Sequence, residues 1–571
     1  MDAGKRTIND IFNGSHVLEI PFFQRAYVWG EDQWERLLDD ITHVCQSDDP
    51  YFIGSVILKQ QLTSTSSGYG DVRTVIDGQQ RLTTLSILLK VLCLKTGQMK
   101  LFDKRFRLDD ETPVLKHNHN DTDAYNAIMD LTSLADIEKE DNISKAYTYF
   151  CKNLDPALVN FTAVTNKLLF VVIDLSPGED EQQIFDAINS LGVKLTTAEL
   201  LKNFFFRRDD LQAYNAYWKD VFEQDEETKA YWDRELTAGR FRRSFIDLFF
   251  YSYLQIKLQD PDLAVKTEDK IAFSKVDKLF DSYKKFIERY CGGDKDALRL
   301  EIREYALLFQ KTFDPEVVLR ELPAQAGLDR INAIIFHLET TTLIPYVLFV
   351  EHSVSDQAAK AELYGFLETY IMRRLVTKST TKNYNQLFTD RLILNRVLSR
   401  ADLADYLENQ ADRLNAMPTD QQVREAFDSY ILTNKQAAGI LYFIESKLRD
   451  RQKHSTQLLG LKKYSLEHVM PKKWANQWPT PGTQALIDER NRKILTLGNL
   501  TIITQALNTS IRDAGWAEKK AGRGQQAGGL KQYSEGIEIF SPYLSRDVWD
   551  EAAISERAQF LYEKAVKVWS I

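Results

Sequence analysis

The sequence predicts an α+β multidomain protein, with a mixed α/β domain over residues 1–207, an all-helical middle region over 208–450 and a strand-containing C-terminal domain over 451–571. Three observations lead there. At roughly 150 residues per domain, 571 residues call for three or four domains. Strand-like and helix-like segments alternate through the first two hundred residues, the pattern of an α/β layer structure. Between residues 209 and 450 amphipathic stretches such as 361–374 and 419–430 follow one another with few strand signals.

In the first domain, residues 17–21, 51–59, 73–76 and 167–175 are strand candidates because β-branched and aromatic side chains dominate them. Helices are expected at 32–45 and 79–94. In the second of these, Leu82, Leu85, Leu88, Leu89 and Leu92 recur at helical spacing, which makes that face core. Residues 61–71 have the composition of a flexible loop. A helical pair is expected at 181–189 and 199–207; Gly192 supplies a left-handed turn between them, and Thr196 with Glu199 forms a capping box. Beyond residue 451 the pattern reads as a short apolar strand, a Trp/Pro-rich loop, a second strand and a helix.

With 44% hydrophobic and 27% charged residues, and 25 Gly and 14 Pro dispersed along it, the chain has the composition of a packed globular protein. Acidic residues exceed basic ones by 82 − 73 = 9, so nucleic-acid contact falls to local patches rather than to an overall basic field. Cys45, Cys93, Cys151 and Cys291 form no C-x-x-C pair, so neither a disulfide framework nor a zinc clip is indicated and a reducing, cytoplasmic setting is expected. Residues 1–12 are polar and mixed in charge, and no run approaches the ~18 apolar residues of a membrane span. A soluble, unexported protein with no membrane partner is expected.

The most informative stretch is Leu466-Glu467-His468-Val469-Met470-Pro471, followed by Leu497-Gly498-Asn499-Leu500-Thr501-Ile502-Ile503, Asn508 and Lys519. Metal-assisted phosphodiester hydrolysis needs a neutral imidazole to deprotonate water, a divalent ion to polarise the phosphate and a rigid loop to aim the imidazole. His468 is the candidate general base, since a free His titrates near ~6.5 and is largely neutral at pH 7. Glu467 and Asn508 are candidate oxygen ligands for a hard ion, magnesium or manganese. Asn499 is expected to pin the loop through its amide, and Lys519 to contact a neighbouring phosphate. Consecutive strand residues face opposite ways, so Glu467 and His468 converge on one phosphate only where the strand ends or bends, an ending that Pro471 favours.

A second constellation is Ile20-Pro21-Phe22-Phe23-Gln24-Arg25-Ala26-Tyr27-Val28-Trp29, with Phe52-Ile53-Gly54-Ser55 and Asp77-Gly78-Gln79-Gln80-Arg81-Leu82-Thr83-Thr84. The last of these opens a helix, whose N-terminal N–H groups and positive dipole end favour a phosphate. Arg25 and Arg81 are candidate bidentate phosphate clamps, while Gly54 and Gly78 permit close backbone approach beside Ser55. Asp77 either helps to place a metal or its waters or caps the helix. No G-x-x-x-x-G-K-[ST] occurs, which excludes a P-loop NTPase.

The set E-H-x-x-P, L-G-N-L, N and K resembles the HNH nuclease pattern. More closely, it resembles the C-terminal HNH module of the GmrSD-type, modification-dependent (type IV) restriction endonucleases, where the usual Asp of the Asp-His pair is Glu and the last His is Asn, as at Glu467 and Asn508. Residues 549–569, with Ile554 and Arg557, resemble the closing helices of that module. The motifs I-P-x-x-Q-R-x-Y-x-W, F-I-G-S and D-G-Q-Q-R-L-T-T resemble the N-terminal module of the same family, as do residues 184–192, Leu195 and 200–203. The resemblance implies a ParB/sulfiredoxin-like fold for the first domain, which binds and hydrolyses a nucleoside triphosphate (GTP, ATP or another) through Gln24, Arg25, Asp77, Gln79, Gln80 and Arg81. It implies a ββα-metal (HNH) fold for the last, which cuts double-stranded DNA bearing modified cytosine, hydroxymethylated or glucosylated, in phage defence. Cutting both strands with one nuclease site per chain favours a homodimer.

Two rivals are a phosphorothioate-sensing nicking relative and a non-hydrolytic regulator with a degenerate HNH segment. Arg373-Arg374 and residues 378–385 resemble the family's linker, and short basic runs of this kind are usually solvated helix faces. Residues 240–243, Lys462-Lys463, Lys472-Lys473 and residues 519–523 are candidate DNA contacts, the last three because they flank the nuclease motif. Trp474 and Trp478 beside them suit either DNA contact or core.

Overall fold

The computed structural model describes residues 2–13, 16–21, 24, 26–47, 49–61, 71–137, 139–177, 179, 197–206, 210–238, 241–275, 278–292, 295–409, 413–449, 457–523, 528–534 and 537–571. The chain divides into two compact units, Met1–Trp218 and Lys219–Ile571. The C-terminal segment and the helical block from residue 219 onward, assigned separately from the sequence, lie in the second unit, while residues 208–218 of that block fall in the first.

The first unit is built on a six-stranded mixed sheet: β1 (Asp2–Thr7), β2 (Val17–Glu19), β3 (Tyr51–Gln60), β4 (Val72–Asp77), β5 (Leu115–Lys116) and β6 (Leu168–Leu175), in the order β1-β6-β3-β4-β2-β5. β3 runs parallel to β6 and antiparallel to β4, while β2 is parallel to both β4 and β5. The four sequence-predicted strands are β2, β3, β4 and β6. β1 escaped the sequence reading because Asp2–Thr7 carries no apolar alternation; it pairs along β6 through its backbone. Helix α1 (Glu31–Gln46) sends Trp34, Leu37, Leu38, Ile41 and Val44 into the core. Helix α2 (Gln79–Thr96) is buried on almost every side, from Leu82 to Cys93, so its leucines form the centre of the unit and not one face of a surface helix. Of the expected helical pair, the second appears as Thr197–Phe205, while residues 181–189, Gly192, Thr196 and the family-like 184–192 lie outside the described residues, as do 62–70 of the expected loop.

The second unit is mostly helical but not entirely so in its middle. A two-stranded hairpin, β7 (Glu235–Ala238) and β8 (Phe241–Ser244), interrupts the helices and corrects the all-helical expectation; two four-residue strands are too short to leave a period-two signal. Behind it, helix α3 (Phe245–Leu258) is buried from Phe245 to Leu258 save for single positions and packs Phe249 against Phe222, Trp232 and Phe309. Helices α4 (Leu328–His337) and α5 (Gln357–Val376) are joined by the fully buried pair Arg330–Glu368, with Nε to Oε2 at 2.7 Å and Nη2 to Oε1 at 2.9 Å.

Arg373 and Arg374, expected on a solvated face, are each only 2% exposed. Carbonyl oxygens distant in sequence receive their protons, Trp569 and Pro418 from Arg373 and Ala416 from Arg374, and Arg374 also donates to the nearby Thr380 carbonyl. Among the described residues no helix is long and apolar enough to cross a membrane.

The C-terminal part of this unit carries α6 (Asp420–Ser429), α7 (Asn434–Leu448), strand β9 (Tyr464–His468), α8 (Gln484–Lys493), strand β10 (Leu500–Thr504), α9 (Gln505–Ile511), α10 (Trp516–Ala521) and α11 (Glu551–Val568). β9 and β10 pair antiparallel, with α9 following directly, giving a ββα succession. α7 packs on both strands, and α11 packs against α6, α7 and the Leu497–Asn499 turn.

Candidate nuclease site

Tyr464–His468 and Leu500–Thr504, the second buried on both faces, pair antiparallel in a register that sets Leu500 opposite His468, Thr501 opposite Glu467 and Ile502 opposite Leu466. Glu467 and His468 are consecutive in one strand and so leave it on opposite faces. His468 is the last strand residue. The chain beyond it is fixed from β10: Val469 N–H donates to the Asn499 carbonyl at 2.9 Å.

Asn499 has no exposure at all and uses its whole amide. Its Oδ1 accepts from Met470 N at 2.8 Å and from Trp549 Nε1 at 3.0 Å, and its Nδ2 donates to the carbonyls of Met470 (2.8 Å) and Ile494 (2.9 Å). The amide thereby staples the loop after β9 to the turn before β10. Arg557 of α11 holds that turn from behind, donating to the carbonyls of Leu497 (3.2 Å), Gly498 (2.9 Å) and Leu500 (2.7 Å) while stacked over Phe540. Burial without a carboxylate partner lowers the Arg557 pKa to about 9.

The His468 ring makes no hydrogen bond among the described residues, and its pKa is lowered to about 4, first by burial and then by the positive charges of Lys472 and Lys519. It is a neutral imidazole at pH 7. Glu467, 5% exposed, is pushed up by burial and pulled back by the Lys519 ammonium. Lys519 has no exposure; it donates to Glu467 Oε1 and, at 2.9 Å, to the His468 carbonyl, with its own pKa lowered by burial. Lys519, expected to contact a phosphate, is thus a buried ion-pair partner of Glu467. Asn508, on α9, donates through Nδ2 to Ser465 Oγ and the Leu466 carbonyl, both at 3.1 Å, which ties its amide to β9 on the face that Ser465 shares with Glu467.

A divalent ion fits this donor set only as a hard cation. Among the described residues no three His, Cys, Asp or Glu side chains gather as a metal site. Glu467 and Asn508 offer a carboxylate and an amide, oxygen donors suited to magnesium or manganese and poorly suited to zinc.

Trp474 and Trp478 belong to the core, 6% and 8% exposed, with indole N–H groups given to Asn491 Oδ1 (2.9 Å) and the Ala514 carbonyl (3.2 Å). Sequence reasoning did not find the Glu467–Lys519 pair; 52 positions separate the two and neither flanks a signal for the other.

In the first unit Gly54, Ser55, Asp77, Gly78 and Arg81 come together where β3, β4 and α2 meet. Arg81 Nη2 donates to the Ser55 carbonyl at 2.8 Å and to Asp77 Oδ2 at 3.2 Å, and Ser55 Oγ lies 3.4 Å from the same carboxylate oxygen. Arg81 Nε is buried without a partner among the described residues. Gly54 has φ +127°, and a Cβ there would stand 2.5 Å from Arg81 Nη1. Gly78 has φ +99° and is itself the N-cap of α2, so Asp77 is not the cap.

Gln80 is committed elsewhere: its Oε1 accepts from Val28 N (2.9 Å) and Trp29 N (3.3 Å), and its Nε2 donates to the Ala26 carbonyl at 3.4 Å, clamping the 26–29 loop onto α2. Gln24 and Gln79 are buried, at 2% and 7% exposure, and Arg25 lies outside the described residues.

Residues 8–206 match the family described as GmrSD restriction endonuclease, N-terminal domain, and residues 417–564 match GmrSD restriction endonucleases, C-terminal domain. The chain belongs to the GmrSD-type restriction endonuclease family, nucleases of the type IV restriction class whose substrate is DNA. The second match begins at 417 and so takes in α6 and α7, the helices that pack on α11 and on the hairpin. No curated protein matches the chain.

Proposed function

We propose that this chain hydrolyses phosphodiester bonds in double-stranded DNA carrying modified cytosine, with a nucleoside triphosphate bound in the first unit regulating the cut. The observation that carries the reading is the His468 imidazole at the end of β9, next in sequence to the buried Glu467 carboxylate and followed by the Asn508 amide on the next helix, in a restriction-endonuclease chain. His468 takes the proton of the attacking water. Asn499 holds the backbone that follows it and Arg557 the turn that leads into the partner strand, so that the ring is aimed before substrate arrives. Lys519 fixes the Glu467 carboxylate and the His468 carbonyl to one another. Glu467 and Asn508 would hold magnesium or manganese, which when bound supplies positive charge to the developing phosphorane and leaving oxygen.

In the first unit Gly54, Ser55, Asp77, Gly78, Gln79 and Arg81, with Gln24 and Arg25, are the residues proposed to receive the triphosphate, and Gln80 braces the 26–29 loop beside them. The unpartnered Arg81 Nε supports this, since a buried guanidinium N–H without an acceptor is costly until an anion meets it. Cutting both strands calls for two copies of the single-site chain.

The test is a cleavage panel: plasmids with unmodified, hydroxymethylated and glucosylated cytosine, each with magnesium or manganese and with GTP, ATP or none. Cleavage of modified DNA alone, changed by a triphosphate and blind to it in Arg81→Ala, is the expected result. Binding without cleavage under every condition would make the chain a regulator instead, and equal cleavage of unmodified DNA would remove the modification requirement.

A further inference from the structure

On the face of the hairpin that carries Glu467, one buried hydroxyl oxygen has no hydrogen-bond partner among the described residues. Thr501 stands directly opposite Glu467 in the β9–β10 register, and directly opposed residues of antiparallel strands project to the same side with Cβ atoms about 4.5–5.5 Å apart. Thr501 has no exposure, and its Oγ1 is buried without a hydrogen-bond partner among the described residues. Its polar neighbours on that face are satisfied. Ser465 Oγ accepts from Asn508 and donates to the Ile503 carbonyl at 3.3 Å, and Lys519 divides its protons between Glu467 and the His468 carbonyl.

The strand does not need this hydroxyl. Leu500 and Ile502 on either side show that the strand accepts apolar residues, and Val has the shape of Thr without the oxygen. A buried hydroxyl left unpaired opposes folding, so its presence beside a carboxylate calls for a bound group that it serves. The chemistry of that group follows from its company. A carboxylate and an amide carbonyl, with a neutral hydroxyl oxygen between strands, are three oxygen donors of the kind a hard divalent cation takes together with water. A bound anion would face the Glu467 carboxylate, and a cation there shares that carboxylate with the Lys519 ammonium, which already takes Oε1.

We infer that Thr501 presents its hydroxyl oxygen to the divalent cation proposed at Glu467 and Asn508, as a third side-chain donor of that site. The inference rests on the metal reading of Glu467, and the experiment separates the two. Manganese binding to the full-length chain, without DNA or nucleotide, is followed by the loss of the free-ion resonance signal for wild type, Thr501→Val, Thr501→Ser and Glu467→Gln. Stability is measured in parallel in chelator.

Thr501→Val is expected to weaken manganese binding roughly 10- to 100-fold, Thr501→Ser to stay within about threefold of wild type, and Glu467→Gln to lose the site. In chelator, Thr501→Val is expected to be at least as stable as wild type, because it removes an unpaired oxygen. Wild-type manganese affinity in Thr501→Val, with the site lost in Glu467→Gln, overturns the inference and leaves the metal reading standing. Unchanged binding in Glu467→Gln overturns the metal reading itself. Destabilisation of Thr501→Val in chelator, repaired by Thr501→Ser, gives the hydroxyl a structural partner and also overturns the inference.

Discussion

Replacing Gly498 by alanine tests how the Asn499 turn is held. A Cβ at Gly498 would stand 2.1 Å from the Ile554 carbonyl oxygen, 3.0 Å from its carbon and 3.1 Å from Ala558 Cβ. The first two are backbone atoms inside the 18-residue helix α11, so no rotamer relieves the contact. Restoring ordinary van der Waals separation requires the turn to retreat by roughly 1 Å. A retreat of that size stretches the 2.9 Å bond from Arg557 to the Gly498 carbonyl beyond hydrogen-bonding range and strains those to Leu497 and Leu500. Overpacking costs about 1–3 kcal/mol and loss of one charge-assisted hydrogen bond about 1.5–3 kcal/mol, offset by about 0.4–1 kcal/mol from the stiffer unfolded chain. The expected loss is about 3 kcal/mol. Urea denaturation measures it, and hydrogen exchange at residues 497–504 localises it; Gly482→Ala, where an added Cβ meets nothing within 4 Å, serves as control. A Gly498→Ala protein as stable and as protected as the Gly482→Ala control would refute the account of the turn.

Gly54→Ala forces a side chain onto φ +127° and against Arg81, so triphosphate binding is expected to fall at least tenfold in a titration while the chain stays folded; unchanged affinity counts against the Gly54–Arg81 cluster as the triphosphate site. Breaking the buried pair with Arg330→Met is expected to cost about 3–5 kcal/mol in chemical denaturation, and Arg330→Met with Glu368→Leu to regain most of it. Buried His117 has its pKa lowered to about 3 by desolvation, so the unfolded chain binds its proton first. Stability from this group is therefore complete above pH 6.5 and falls as pH drops towards 3, by about 3 kcal/mol at pH 4.5, and His117→Asn should flatten that part of a pH–stability curve.

What the sequence made legible follows from how each signal arises. The leucines of α2 and the β-branched runs of β3, β4 and β6 declare themselves because burial is written into consecutive residues. β1 pairs through its backbone, and nothing in Asp2–Thr7 records that. Arg373 and Arg374 looked solvated because their carbonyl partners lie far along the chain in Pro418, Ala416 and Trp569. At the candidate site the motif residues could be named, but not their company. Lys519 was aimed at a phosphate when its ammonium lies buried on Glu467, and Gln80 at a nucleotide when its amide holds the loop of Tyr27 to Trp29. Long-range pairing of buried polar groups is decided by packing, which no local pattern reports.

Single-turnover cleavage of modified DNA by His468→Ala, beside its DNA affinity, bears most directly on the nuclease reading. The imidazole is the proposed base, so cleavage should fall by roughly 10²- to 10⁴-fold with affinity little changed. A His468→Ala protein that cuts at the wild-type rate would contradict it.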